Sequence, residues 1–135
     1  MSSLLLVATL LLAQDAGRIV GIGGVFFKSA DNKRIYDFYE KLGLPNQKNV
    51  GIAIKSKDQT SYIGVFKAEA KYFDGPLMIN YIVDDMDSYL AKLEKKGVRI
   101  HKRENSAEGR FAWIYDPEGT KIELWQPPTR NAKPQ

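Results

Sequence analysis

The spacing of apolar residues shifts along the chain between strand-like runs and helical stripes, and the shifts mark out its elements. From Ile19 the chain reads as strand, apolar or glycine throughout 22–27. Ser29, Ala30, Asp31 and Asn32 offer N-cap candidates, after which Ile35, Phe38 or Tyr39, and Leu42 recur at helical spacing. Gly43 stands where a helix would end in the left-handed region, with Pro45 just beyond it. Short strands are expected over 50–55 and 62–66, separated by the polar turn 56–60. Residues 67–76 carry mixed charge and end in Asp74-Gly75-Pro76, so they read as a connection. A strand follows at 77–83, then Asp84-Asp85 as a cap and a helix with Met86, Leu90 and Leu93 on one face. Gly97 ends that helix, and 98–102 reads as a further strand.

The clearest local signal closes the chain. Two runs rich in aromatic and β-branched residues, 111–115 and 120–125, flank Asp116-Pro117-Glu118-Gly119. Asp suits the first turn position, Pro117 presets φ at the second, and Gly119 can take the positive φ of a turn followed by a bulge. With Asp116 opposite Thr120, Trp113 lies across from Glu123 and shares a face with Phe111, Tyr115 and Trp125. Ala112, Ile114, Ile122 and Leu124 then make the other face, a plain apolar layer.

The second half repeats the first. Val25 and Ile79, Asp31 and Asp85, and Gly43 and Gly97 are each 54 residues apart, so strand, cap and helix end share one offset. Residues 63–66 align likewise with 122–125. The pattern predicts an α+β domain over 17–128, built of two paired βαβββ modules at about 19–70 and 77–127. Two such curved sheets side by side leave their uncovered faces to line a shared concave cavity, and 129–135 reads as a loose tail.

Composition narrows the chemistry. The 135 residues suffice for one core without staples. There is no cysteine and a single histidine, His101, which removes thiol catalysis, thiolate zinc sites and any centre built from several imidazoles. The net charge of +4 is spread among acidic residues, a balance that does not point to nucleic acid. The apolar run 4–13 is too short to span a membrane and resembles a secretory signal, which makes 1–16 an export segment and the mature protein secreted or periplasmic. The alternative is an extra helix docked on the core of a cytoplasmic protein.

The stretches 22–45, 78–98 and 109–128 resemble the vicinal oxygen chelate superfamily, which includes glyoxalase I, bleomycin-resistance proteins, fosfomycin-resistance enzymes and extradiol dioxygenases; the string 116–125, DPEGTKIELW, is the most specific part. The resemblance implies four side chains from equivalent strand positions holding a divalent metal. The matching positions are Gly24, Gly64, Met78 and Glu123, of which only Glu123 is a credible ligand, since a hard dication wants several oxygen or nitrogen donors. A metal cofactor is therefore not expected in the inherited place.

Strand alternation from those positions picks Phe26, Met78, Asn80, Phe111, Trp113, Glu123 and Trp125 as ligand-binding residues, an aromatic pocket with two polar anchors. The expected function is metal-free binding of a flat or amine-bearing small molecule, similar to the bleomycin-resistance branch. Two alternatives stand beside it. One is a metal-dependent lyase, isomerase or dioxygenase with Glu123 as one ligand. The other is an assembly module, a homodimer that buries its aromatic face. No general acid–base pair or activated nucleophile fixes a reaction type.

Overall fold

The computed structural model describes residues 16–48 and 50–129. The run 4–13 and the tail beyond 129 lie outside the described residues, and with them all of the expected export segment but Ala16. In chain order the elements are β1 (Ile19–Ser29), α1 (Asn32–Lys41), β2 (Ile52–Lys55), β3 (Thr60–Lys67), β4 (Leu77–Val83), α2 (Met86–Lys95), β5 (Lys102–Ser106), β6 (Gly109–Tyr115) and β7 (Lys121–Gln126). The strands form one curved sheet in the order β2-β3-β1-β4-β7-β6-β5.

The pairing at the centre of this sheet has a local two-fold relation. β1 and β4 run antiparallel, and Val25 pairs with Ile79, its own counterpart in the repeat. Gly24 then faces Asn80 and Phe26 faces Met78, two pairs that exchange places about that point. The helices repeat as closely. Asp31 accepts from the Arg34 amide and Asp85 from the Ser88 amide, both at 3.1 Å. Gly43 and Gly97 both sit at φ +82°, and beyond them Leu44 N–H and Val98 N–H return to the carbonyls of Tyr39 and Leu93 at 3.0 and 2.9 Å.

The halves differ in how much they bury. Val83, Met86, Leu90, Ala112, Ile114 and Leu124 form a closed core between α2 and the sheet. In α1 no residue is fully buried, and of its expected stripe Ile35 and Tyr39 are half-buried while Phe38 and Leu42 are 57 % and 58 % exposed. Tyr36 makes the difference: it turns inward, and its hydroxyl takes the N–H of Val65 at 3.0 Å while Asn32 Nδ2 donates to the Val65 carbonyl. These two side chains finish the edge of β3 where β2 has ended. In the first half the outermost strand of a full module is reduced, among the described residues, to a bridge between Gln47 and Gly51.

The strand expected at 98–102 forms later, at Lys102–Ser106. Val98 and Ile100 are used instead to pack against the α2 core as the chain leaves the helix. The edge that results is wholly exposed and charged, which suits an edge that must not recruit another strand. The closing hairpin has the register expected of it, with Trp113 opposite Glu123 and Ala112 opposite Leu124.

Candidate functional site

Register across the sheet sets the site. Tyr62, Gly24, Asn80, Glu123, Trp113 and Lys102 are successive partners on β3, β1, β4, β7, β6 and β5, and so share one row. Their side chains fall on the face away from the α2 core, because the residues of that core have the opposite parity on β6 and β7.

Glu123 is the centre of the row and only 4 % exposed. Its Oε1 accepts from Asn80 Nδ2 at 2.7 Å, and its Oε2 accepts from Trp113 Nε1 at 2.9 Å and from the Tyr72 hydroxyl. Three donors and no acceptor face it, the pattern of a buried carboxylate held by neutral hydrogen bonds. Among the described residues no lysine or arginine pairs with it: Lys121 donates to the Tyr72 carbonyl at 2.6 Å, and Arg110 forms a fork with Asp87. The same fork holds the Asp87 carboxyl below its ordinary range. Tyr72 is pushed well above the ordinary phenol value, chiefly by burial and then by its bond to Glu123, so it remains a donor throughout the neutral range.

Asn80 is 3 % exposed, and because its amide nitrogen is spent on Glu123, its Oδ1 is left buried without a hydrogen-bond partner. That oxygen points at Gly23, where a β-carbon would lie 2.2 Å from it and 2.9 Å from the Trp125 ring. Only glycine leaves room there. Around these polar groups the rings are dense. Phe111 stacks on Trp113 and on Trp125, with centroids 6.0 and 6.3 Å apart, and Trp125 Nε1 donates to the Glu108 carbonyl. Lys102, Lys121 and Lys28 lie over the rings of Trp113, Tyr72 and Phe73 at 5.4, 4.7 and 4.9 Å.

The residues expected to bind ligand thus divide. Asn80, Trp113 and Glu123 are bonded together, and Phe111 and Trp125 continue the ring stack. Phe26 and Met78 belong to the neighbouring row, Met78 fully buried. Phe111 also borders a cleft of about 160 Å³ on its other side, with Met86, Leu90 and Arg110. Two contributors were not legible in the sequence. Tyr72 and Phe73, on the connection between the halves, fold over this face: Phe73 is 1 % exposed and packs edge-on to Phe66, while Tyr72 stacks on the same ring. A mixed-charge stretch has no periodicity that would show which of its side chains turn inward.

The four positions of the metal centre do not fit a metal. A β-carbon on Gly24 would come within 2.8 Å of the Phe26 ring, and one on Gly64 within 2.6 Å, so a single ring fills both places where donor side chains would stand. Met78 offers a thioether, and both Glu123 oxygens already accept hydrogen bonds. Among the described residues no group of three or more His, Asp or Glu side chains comes together.

No family model matches the sequence, and no curated protein does. Solved structures do match. Methylmalonyl-CoA epimerase from Mycobacterium tuberculosis superposes with a TM-score of 0.64 at 19% identity, over 87% of this chain and 97% of that one. A point variant of Streptomyces coelicolor methylmalonyl-CoA epimerase, in complex with 2-nitronate-propionyl-CoA, gives 0.63 at 18%, over 83% and 100%. A variant of homoprotocatechuate 2,3-dioxygenase from B. fuscum gives 0.59 at 19%, over 84% of this chain and 34% of that chain. The chain therefore has the fold of the vicinal oxygen chelate superfamily, to which the epimerase and the dioxygenase belong.

Proposed function

We propose that the protein binds a flat small molecule carrying hydrogen-bond donors, on the aromatic face of the sheet, and does so without a divalent metal. The observation that carries this reading is the Asn80 Oδ1 acceptor, buried and unpartnered beside a fully engaged Glu123. A buried acceptor without a partner costs about 1–3 kcal/mol, which a ligand N–H or O–H would recover. The surrounding rings supply apolar area and stacking for a planar body, and a few convergent polar groups in an aromatic surround are the usual make-up of such a site. The epimerase complexes with 2-nitronate-propionyl-CoA and methylmalonyl-CoA support small-molecule binding by this fold. Among the described residues no helix is long and apolar enough to cross a membrane.

The test is a titration with a panel of aromatic amines and phenols, followed by the fluorescence of Trp113 and Trp125, the chain's two tryptophans. A saturable change that weakens at least tenfold in Asn80→Ala is expected. Absence of any saturable change across the panel, or unaltered affinity in that variant, overturns the reading. A dimeric assembly role is favoured by one separate observation: Phe38, Leu42, Val50 and Ile54 of the first half are 57, 58, 49 and 40 % exposed. That role requires a stable dimer at micromolar concentration in sedimentation.

A further inference from the structure

We infer that Tyr72 is a displaceable cover that holds the ligand's place, and that the ligand it mimics is a planar aromatic ring carrying a hydroxyl or amino donor. The inference rests on the binding reading above and names the ligand class and the gating of that site. Of the three donors on Glu123, Asn80 and Trp113 belong to strands of the sheet, whereas Tyr72 belongs to the connection between β3 and β4. Its ring lies parallel to Phe66, with centroids 5.8 Å apart and 4° between planes, and its hydroxyl reaches Glu123 Oε2. An aromatic body stacked on Phe66 with a donor at its far end is thus the shape this site already accepts.

Tyr72 is nevertheless a cover and not a core residue. It is 42 % exposed, while the adjacent Phe73 is 1 % exposed and is wedged against Phe66. The connection is therefore anchored at Phe73, and again where Lys28 N–H bonds the Pro76 carbonyl at 3.2 Å. Swinging the Tyr72 side chain outward breaks its bond to Glu123, the Phe66 stack and the contact of Lys121 with its ring, and leaves in place the Phe73 anchor and the Lys121 bond to the Tyr72 carbonyl. It frees an acceptor position on Glu123 Oε2. Asn80 Oδ1 supplies a second acceptor on the neighbouring strand, since Asn80 and Glu123 are register partners joined at 2.7 Å. A ring with one donor takes the place of Tyr72, and a second donor reaches Asn80. Such a ligand competes with Tyr72, so weakening the cover must strengthen binding.

The experiment uses p-cresol, p-toluidine and toluene as probes on the full chain, read by the Trp113 indole N–H in two-dimensional NMR. Affinities are compared for wild type, Tyr72→Phe and Tyr72→Ala. Tyr72→Phe keeps the ring and removes only the bond to Glu123, so it opens no cavity for trivial filling. Both variants are expected to bind p-cresol and p-toluidine at least tenfold tighter than wild type, with toluene weaker than either in all three proteins. Equal or weaker binding of p-cresol in Tyr72→Phe overturns the cover while leaving the site. Toluene binding as well as p-cresol overturns the donor assignment. Failure of all three proteins to bind any probe overturns both this inference and the binding reading beneath it.

Discussion

Replacing Glu123 tests the hydrogen-bond network at its centre, and two replacements should behave very differently. In Glu123→Ala, Trp113 Nε1 and Asn80 Nδ2 both lose their acceptor, and these residues are only 4 % and 3 % exposed. Each stranded donor costs about 1–3 kcal/mol, so about 2–6 kcal/mol is expected from the pair. Tyr72 adds little, because its 42 % exposure lets the hydroxyl turn to water. Glu123→Gln keeps the shape. Its carbonyl can still accept from Trp113 and Tyr72, and its amide nitrogen can face Asn80 once the Asn80 amide turns over to present Oδ1. What is lost is charge assistance, about 1–2 kcal/mol. Urea unfolding at neutral pH, followed by both circular dichroism and tryptophan fluorescence, measures both values on a total of about 5–15 kcal/mol. A Glu123→Gln cost equal to that of Glu123→Ala, or a Glu123→Ala cost under about 1 kcal/mol, refutes the description of Glu123 as the acceptor on which buried donors depend.

Two further outcomes follow from the same geometry. Gly64→Ala places a β-carbon 2.6 Å from Phe26 Cδ1 and should cost about 1–3 kcal/mol through overpacking, a penalty that should vanish in a Phe26→Ala background; a double-mutant cycle with additive effects contradicts it. Tyr72 has its folded pKa raised above the ordinary 10.0, so above about pH 10 the unfolded chain releases this proton while the folded chain keeps it. The stabilisation from Tyr72 is therefore fully present below about pH 10 and is lost as pH rises through the higher folded value. Unfolding measured between neutral pH and about pH 11 should show a shallower alkaline decline in Tyr72→Phe than in wild type, and equal slopes contradict the shift.

Legibility in the sequence followed the strength of local constraint. Hairpin register was readable because Asp116-Pro117-Glu118-Gly119 permits few turns and the flanking runs alternate cleanly, so Trp113 and Glu123 could be placed opposite each other from the residues alone. The matching caps and helix ends were readable because they depend on single residues, Asp31 with Asp85 and Gly43 with Gly97. Parity alone brought Asn80 to Glu123. The inward turn of Tyr36 was not readable, since Phe38 and Leu42 fit the helical stripe equally well and the choice depended on how β3 ends. Nor was the cover: Tyr72 and Phe73 act through tertiary contacts of an irregular connection, where no period relates sequence to direction. The strand after α2 was misplaced for a related reason, as apolar Val98 and Ile100 serve the helix-side core and the charged Lys102–Ser106 forms the ladder.

The separation of this site from metal chemistry is tested most directly by titrating one aromatic donor probe, p-cresol, into Tyr72→Phe before and after exhaustive chelation, with elemental analysis of the same samples. Identical affinity in both is the expected result. Binding that disappears on chelation and returns with one equivalent of a divalent metal contradicts it.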